Sequence, residues 1–249
     1  MEIFIGALGM ALVAPVHSQN DKSTNKQQSV LLTGLPDFLQ PQIGALGNRV
    51  KAPGKESTVF EGTFTIANGK PKTAHIVMQL PGSVELKGFH GDETTLKFEG
   101  SSEPRTVAPD DAILLETFSA DTAEGMLKAI QDGASVELIG RNIQPDPGTI
   151  AKELSMPYDV YEVTAPVQTL HNGFFRTKLY YFDARTGLLA RTRYEDGRSV
   201  IETRFSNWYK VDGSAYPGRI ERYENDRVVF SFIVTAISAG PKVDPAAFR

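Results

Sequence analysis

From Ser57 onward, apolar and polar residues alternate with a period of two, the pattern of strands buried on one face. The turn signals "NGK" (68–70), "PGS" (81–83) and "HGD" (90–92) divide this stretch into four segments. Taken as three-residue loops, they set Phe64 against Ala74, Phe60 against Met78, Leu80 against Val84 and Met78 against Leu86. They also set Leu86 against Leu96 and Val84 against Phe98. Each pair is apolar, and a one-residue slip would turn a whole strand to the opposite face. The shared face holds Phe60, Phe64, Ile66, Ala74, Ile76, Met78, Leu80, Val84, Leu86, Leu96 and Phe98. Gly62 and Gly88 fall on it too, where a missing side chain permits bending. A meander this one-sided predicts a curved antiparallel sheet that another layer must cover.

The period then changes. Asp110–Ser119 and Thr122–Gln131 read as two short helices. Pro109 and the acidic pair Asp110–Asp111 suit the first helix start. Asp121, followed by Glu124 three residues later, predicts a capping-box start for the second. Ala123, Met126, Leu127 and Ile130 lie on one face of that helix. Strands resume at Ala134–Arg141, followed by a Pro-rich loop to Met156. Further strands are expected near Tyr158–Thr164, Lys178–Phe182, Leu188–Tyr194, Val200–Tyr209, Arg219–Glu224 and Val228–Ile237. Asp196–Gly197 as a two-residue hairpin turn would pair Glu195 with Arg198, Arg191 with Glu202 and Thr192 with Ile201. Asn225–Asp226 would turn the last hairpin likewise and set Glu224 beside Arg227.

The start of the chain follows another pattern. The apolar run Ile3–Val16 and the small residue Ser18 predict a secretory signal cleaved after Ser18, although no Lys or Arg precedes the run. The competing reading is a buried N-terminal strand or helix. Residues 19–50 are expected to be a leader, disordered over Gln19–Gln28 and able to form short helical turns over Ser29–Val50. Residues 51–249 then form a single domain, a length that a β-rich fold commonly reaches.

Composition narrows the chemistry. Of 249 residues, 41% are hydrophobic and 22% charged, and the net charge is −4 with both signs interspersed. That balance argues against nucleic acid, which calls for a concentrated basic face. Cysteine is absent, which excludes disulfides, thiolate nucleophiles and Cys-ligated zinc. His17, His75, His90 and His171 stand in separate segments without metal-ligand spacing. "APGKEST" (52–58) lacks the spacing of a phosphate loop, and no G-x-S-x-G occurs. Asp110–Asp111 reads as helix-start charge, not as an acid–base pair. No catalytic residue, metal or cofactor is expected, so the chain reads as non-enzymatic. A hydrolase would need a nucleophile–base pair that the sequence does not supply.

The last third carries a resemblance. "YFDARTGL" (181–188), "FSNWYKVDGSAYP" (205–217) and "VDPAAF" (243–248) resemble the ending of LolA-like proteins, the periplasmic lipoprotein-carrier superfamily. The resemblance covers Lys178–Phe248 and consists of hairpin and packing positions, which speak to fold before activity. It implies an α+β, mostly β fold: a strongly curved antiparallel sheet, an unclosed β-barrel, lidded by short helices. It also implies a cavity for acyl chains between sheet and helices. The residues placed to line it are Phe60, Phe64, Met78, Leu86, Leu96 and Phe98 from the sheet, and Leu114, Phe118 and Met126 from the lid. The function so implied is an exported, periplasmic, soluble carrier or binder of a lipid or acylated protein ligand, acting as a monomer. The alternative is an envelope regulatory or protein-interaction module on the same fold, meeting a transient envelope protein partner with no lipid cargo.

Overall fold

The structure is a computed structural model that describes residues 34–51, 56–79, 83–89, 95–98, 109–145, 156–168, 173–244 and 248. The expected signal segment, the early leader, His17, His90 and His171 lie outside these residues.

Strands form in each expected region, except that the run Val200–Tyr209 breaks after Ser206, where Asn207 takes φ 55°. Upstream of the lid run β1 (Ser57–Ile66), β2 (Lys72–Gln79), β3 (Ser83–Lys87) and β4 (Thr95–Phe98). Downstream run β5 (Ser135–Ile143), β6 (Tyr158–Gln168), β7 (Gly173–Asp183), β8 (Leu189–Asp196) and β9 (Ser199–Ser206). The remainder are β10 (Tyr209–Val211), β11 (Ser214–Tyr216), β12 (Arg219–Glu224) and β13 (Arg227–Gly240). Eleven of these form one antiparallel sheet in the order β4-β3-β2-β1-β13-β12-β9-β8-β7-β6-β5, while β10 and β11 pair separately. The end strands β4 and β5 do not meet among the described residues, so the barrel is unclosed.

The register corrects the expectation at two loops out of three. Gly69 N–H donates to the Ile66 carbonyl at 2.7 Å, and Asn68 takes φ 60°. This tight reversal starts earlier than a loop centred on Gly69 would. The pairs are therefore Phe60–Ile76, Gly62–Ala74 and Phe64–Lys72, displaced by two residues. The next loop is displaced equally, giving Met78–Val84 and Ile76–Leu86. The third matches the expectation, with Leu86–Leu96 and Val84–Phe98. A two-residue displacement keeps each side chain on its face. Phe60, Phe64, Ala74, Ile76, Val84 and Leu86 are accordingly all buried, whereas Ile66 is 47% exposed at the strand end.

The β8–β9 turn moves by one residue, which displaces the pairing by two. Gly197, at φ 63°, and Arg198 form it, so Asp196 stays in the strand opposite Ser199. Arg193 then faces Glu202, and Thr192 faces Thr203. Arg191 still reaches Glu202 diagonally at 3.2 Å. The final turn is as expected: Asn225 and Asp226 take positive φ and Glu224 pairs with Arg227. Gly62 sits at a bulge against β13, where a Cβ would lie 2.5 Å from the Ile233 carbonyl oxygen.

Helices cover the apolar face of the sheet. A 3-10 turn (Asp37–Leu39) leads into α1 (Gln40–Leu46) and α2 (Asn48–Lys51), which bury Leu39, Ile43, Leu46 and Val50. Between β4 and β5 lie α3 (Pro109–Ser119) and α4 (Ala123–Gln131). The α4 cap differs from the expectation: Thr122, not Asp121, accepts from Gly125 N–H at 3.0 Å. α3 packs on β3 and β4, and α4 packs on β6. Beneath them Phe64, Phe89, Phe118, Phe230 and Phe232 form a contiguous aromatic cluster, with ring centroids 4.5–6.0 Å apart.

Candidate functional site

A cavity of about 250 Å³ opens where α2, the start of α4, β1, β13 and the β10–β11 hairpin converge. Its floor is apolar, from Phe60, Met78, Val211 and Ile237, and its walls carry the hydroxyls of Ser57, Thr58, Ser214 and Tyr216. Behind it a narrow gap of about 20 Å³ continues under α4 toward Ile76, Phe118, Ile220 and Phe232. Arg49, Phe60, Met78 and Glu124 line both spaces, so they mark the boundary between them.

The boundary is held by charge. Arg49 Nη1 lies 2.7 Å from Glu124 Oε1, with side chains 9% and 6% exposed. The Arg49 guanidinium stacks 4.6 Å from the Tyr216 ring centroid, and its backbone N–H donates to Ser214 Oγ at 3.0 Å. Nε of Arg49 is buried and meets no acceptor among the described residues. Gly47 makes this docking close: a Cβ there would lie 2.0 Å from the Gly213 carbonyl oxygen.

The far side of the helix pair is pinned by a second ionic cluster. Glu116 of α3 accepts from Arg176 Nη1 at 2.6 Å, Lys178 Nζ at 2.9 Å and Tyr194 OH at 2.5 Å. Asp121, in the α3–α4 turn, accepts from Lys178 Nζ at 2.6 Å and Thr203 Oγ1 at 2.7 Å. Arg222 Nη1 donates to Thr117 Oγ1 at 2.9 Å, and Nη2 donates to Tyr194 OH at 2.8 Å. Burial works against ionising Glu116. The charges of Lys178 and Arg176 and the Tyr194 hydrogen bond outweigh it and hold the carboxyl at about 2. Burial pushes the Tyr194 and Tyr180 hydroxyls up, so both stay protonated donors. Every strong acceptor in the cluster is occupied, which suits a structural clamp and leaves no free base for chemistry.

The residues expected to line a cavity divide between these places. Phe60 and Met78 line the cavity, and Phe60, Met78 and Phe118 line the inner gap. Phe64, Leu86, Leu114 and Met126 lie in the packed core and touch neither space. The side chains of Leu96 and Phe98 lie outside the described residues. Arg49, Glu124, Tyr216 and Ile237 were not anticipated. A lone arginine inside the apolar stretch "IGALGNRV" (43–50) was the available signal. His75 bonds Glu61 across the β1–β2 pair at 2.7 Å, a cross-strand contact outside the cavity. No group of three or more His, Asp or Glu side chains able to hold a metal gathers among the described residues. Nor does any helix there have the length and apolarity to cross a membrane.

No protein-family model and no curated protein matches the chain. Among solved structures it is similar to a LolA superfamily protein from Nitrosomonas europaea, with 12% identity and a TM-score of 0.45. That likeness covers 85% of this chain and 96% of the other. A DUF1329 family protein from Desulfovibrio piger is similar at 11% identity and a TM-score of 0.48, over 85% of this chain and 95% of that one. MucB in complex with MucA(peri) is similar at 13% identity and a TM-score of 0.21, over 86% of this chain and 58% of that one.

Proposed function

We propose that the protein is an exported, non-enzymatic binder or carrier of acylated ligands, and that the chain of the ligand lies in the cavity beside Phe60, Met78 and Ile237. The observation that carries this reading is the continuity of apolar wall from the open cavity into the gap beneath α4. The volume of about 250 Å³ is just under the ~300–1,000 Å³ of typical small-molecule sites. A longer chain is therefore admitted only as α3 and α4 move outward. Each buried methylene would contribute about 0.8 kcal/mol.

A second reading rests on the five-phenylalanine cluster, which fills the space below the helices with the protein's own side chains. It is an envelope regulatory or protein-interaction module that carries no lipid. Native mass spectrometry of the protein purified from its own cell envelope separates the two. Retained acyl ligand, lost in the variant Ile237→Glu, supports the carrier. An empty chain found with a protein partner, and unaffected by Ile237→Glu, supports the module.

A further inference from the structure

The cavity carries a charge arrangement that an apolar chain alone would not use. Arg49 and Glu124 sit at its inner boundary, both nearly shut off from water, and neutralise each other. Two further carboxylates, Glu56 and Asp212, line the outer cavity alone and are exposed. With one cation and three anions in its wall, the cavity has a formal charge of −2. That field disfavours a ligand with an anionic head. Deep inside, however, Arg49 Nε is a buried donor lacking an acceptor among the described residues. Leaving such a donor unmet is unfavourable, and a ligand oxygen that reached it would satisfy it.

We propose that this cavity recognises an amphiphile with a two-ended head: an acceptor oxygen next to the apolar chain, and an ammonium group farther out. The chemistry is that of a phosphoethanolamine head on an acyl lipid. The oxygen meets Arg49 Nε, the ammonium meets Glu56 and Asp212 at the rim, and the chain passes Phe60 and Met78. The order of the groups follows from depth. Arg49 borders the inner gap, while the two rim carboxylates face water. The inference deepens the acyl-binding reading and rests on it.

The test is calorimetric titration of the full chain with three short lipids of identical acyl chains: dihexanoyl phosphatidylethanolamine, dihexanoyl phosphatidylglycerol and dihexanoylglycerol. Free O-phosphoethanolamine is a fourth probe. The ethanolamine lipid is expected to bind about ten-fold tighter than the glycerol lipid, the worth of one charge-assisted contact. The double variant Glu56→Gln with Asp212→Asn changes exposed residues only and keeps a residue type tolerant of the positive φ at 212. It is expected to erase that preference. Arg49→Met with Glu124→Gln removes the inner pair without stranding a charge, and is expected to weaken the ethanolamine lipid about ten-fold while dihexanoylglycerol binds as before. Equal binding of all three lipids, or a head preference that survives the rim variant, overturns the inference and leaves acyl binding standing. Free phosphoethanolamine binding as tightly as the lipid also overturns it. Absence of binding by every lipid overturns the acyl reading itself.

Discussion

Arg222 of β12 donates from Nη1 to Asp121 Oδ2 at 3.2 Å, joining residues 101 positions apart, and their side chains are 4% and 0% exposed. The bond ties the turn between α3 and α4 to the middle of the sheet. Two anions, Glu116 and Asp121, face three cations, Arg176, Lys178 and Arg222. Arg176 also reaches Asp196 at 3.5 Å.

Replacing Arg222 with Met breaks the buried Arg222–Asp121 pair and removes the donors to Thr117 and Tyr194, which leaves Lys178 as the one cation bonded to Asp121 among the described residues. The expected loss is about 3–5 kcal/mol of unfolding free energy, read from urea titration at neutral pH. A loss under about 1 kcal/mol, the range of an exposed ion pair, would mean that the clamp contributes little.

Glu116 makes a prediction about acid. Its folded pKa, about 2, lies below the usual 4.5, so folding favours the ionised form. The contribution is fully present above about 4.5 and drains away as pH falls from there through about 2. Its size is on the order of 3 kcal/mol. Stability measured between pH 6 and pH 2.5 should fall less steeply in Glu116→Gln than in the unaltered chain. Parallel curves would remove Glu116 as the source.

Gly125 allows the two helices to meet closely. A Cβ there would lie 2.1 Å from the Ser119 carbonyl oxygen and 2.8 Å from Ala120 Cα, both backbone atoms. Gly125→Ala should cost at least ~1–3 kcal/mol despite the better helix propensity of alanine. Thermal unfolding detects it, and an unchanged or raised midpoint would contradict the packing described.

Phe118 both fills the aromatic cluster and walls the inner gap. Phe118→Ala should cost about 3–5 kcal/mol and enlarge the gap behind Phe60 and Met78. A hydrophobic fluorescent probe should then bind more strongly than to the unaltered chain. Lower stability without added probe binding would show that the core collapses into the space.

The strands were legible because their faces are chemically one-sided. Phe60, Phe64, Ile76 and Leu86 alternate with polar residues and all turn inward. Register was less legible: a slip of two residues keeps both faces intact, so only loop geometry at Asn68 and Gly197 distinguishes the choices. Turn residues that admit little freedom, such as Asn225–Asp226, gave the right pairing. The candidate site was legible in half. Its apolar floor follows from strand alternation, but Arg49 and Tyr216 meet only through the packing of α1 and α2 on the β10–β11 hairpin. Arg222 sits at an ordinary inward strand position, and nothing local distinguishes it from a solvated arginine. Asp121 looks like a helix cap because Glu124 follows it three residues later, and only the tertiary cluster reveals its actual partners.

The placement of β13 has a consequence for how the chain assembles. Although it follows every other strand of the sheet, it lies between β1 and β12 and joins the two meanders, with Ser57 Oγ bonding the Pro241 carbonyl 184 positions away. During synthesis from the N-terminus, both halves keep an unsatisfied hydrogen-bonding margin until this keystone segment emerges. Completion therefore comes late and over long chain distances, a regime of slow folding in which unfinished intermediates are prone to stick to one another.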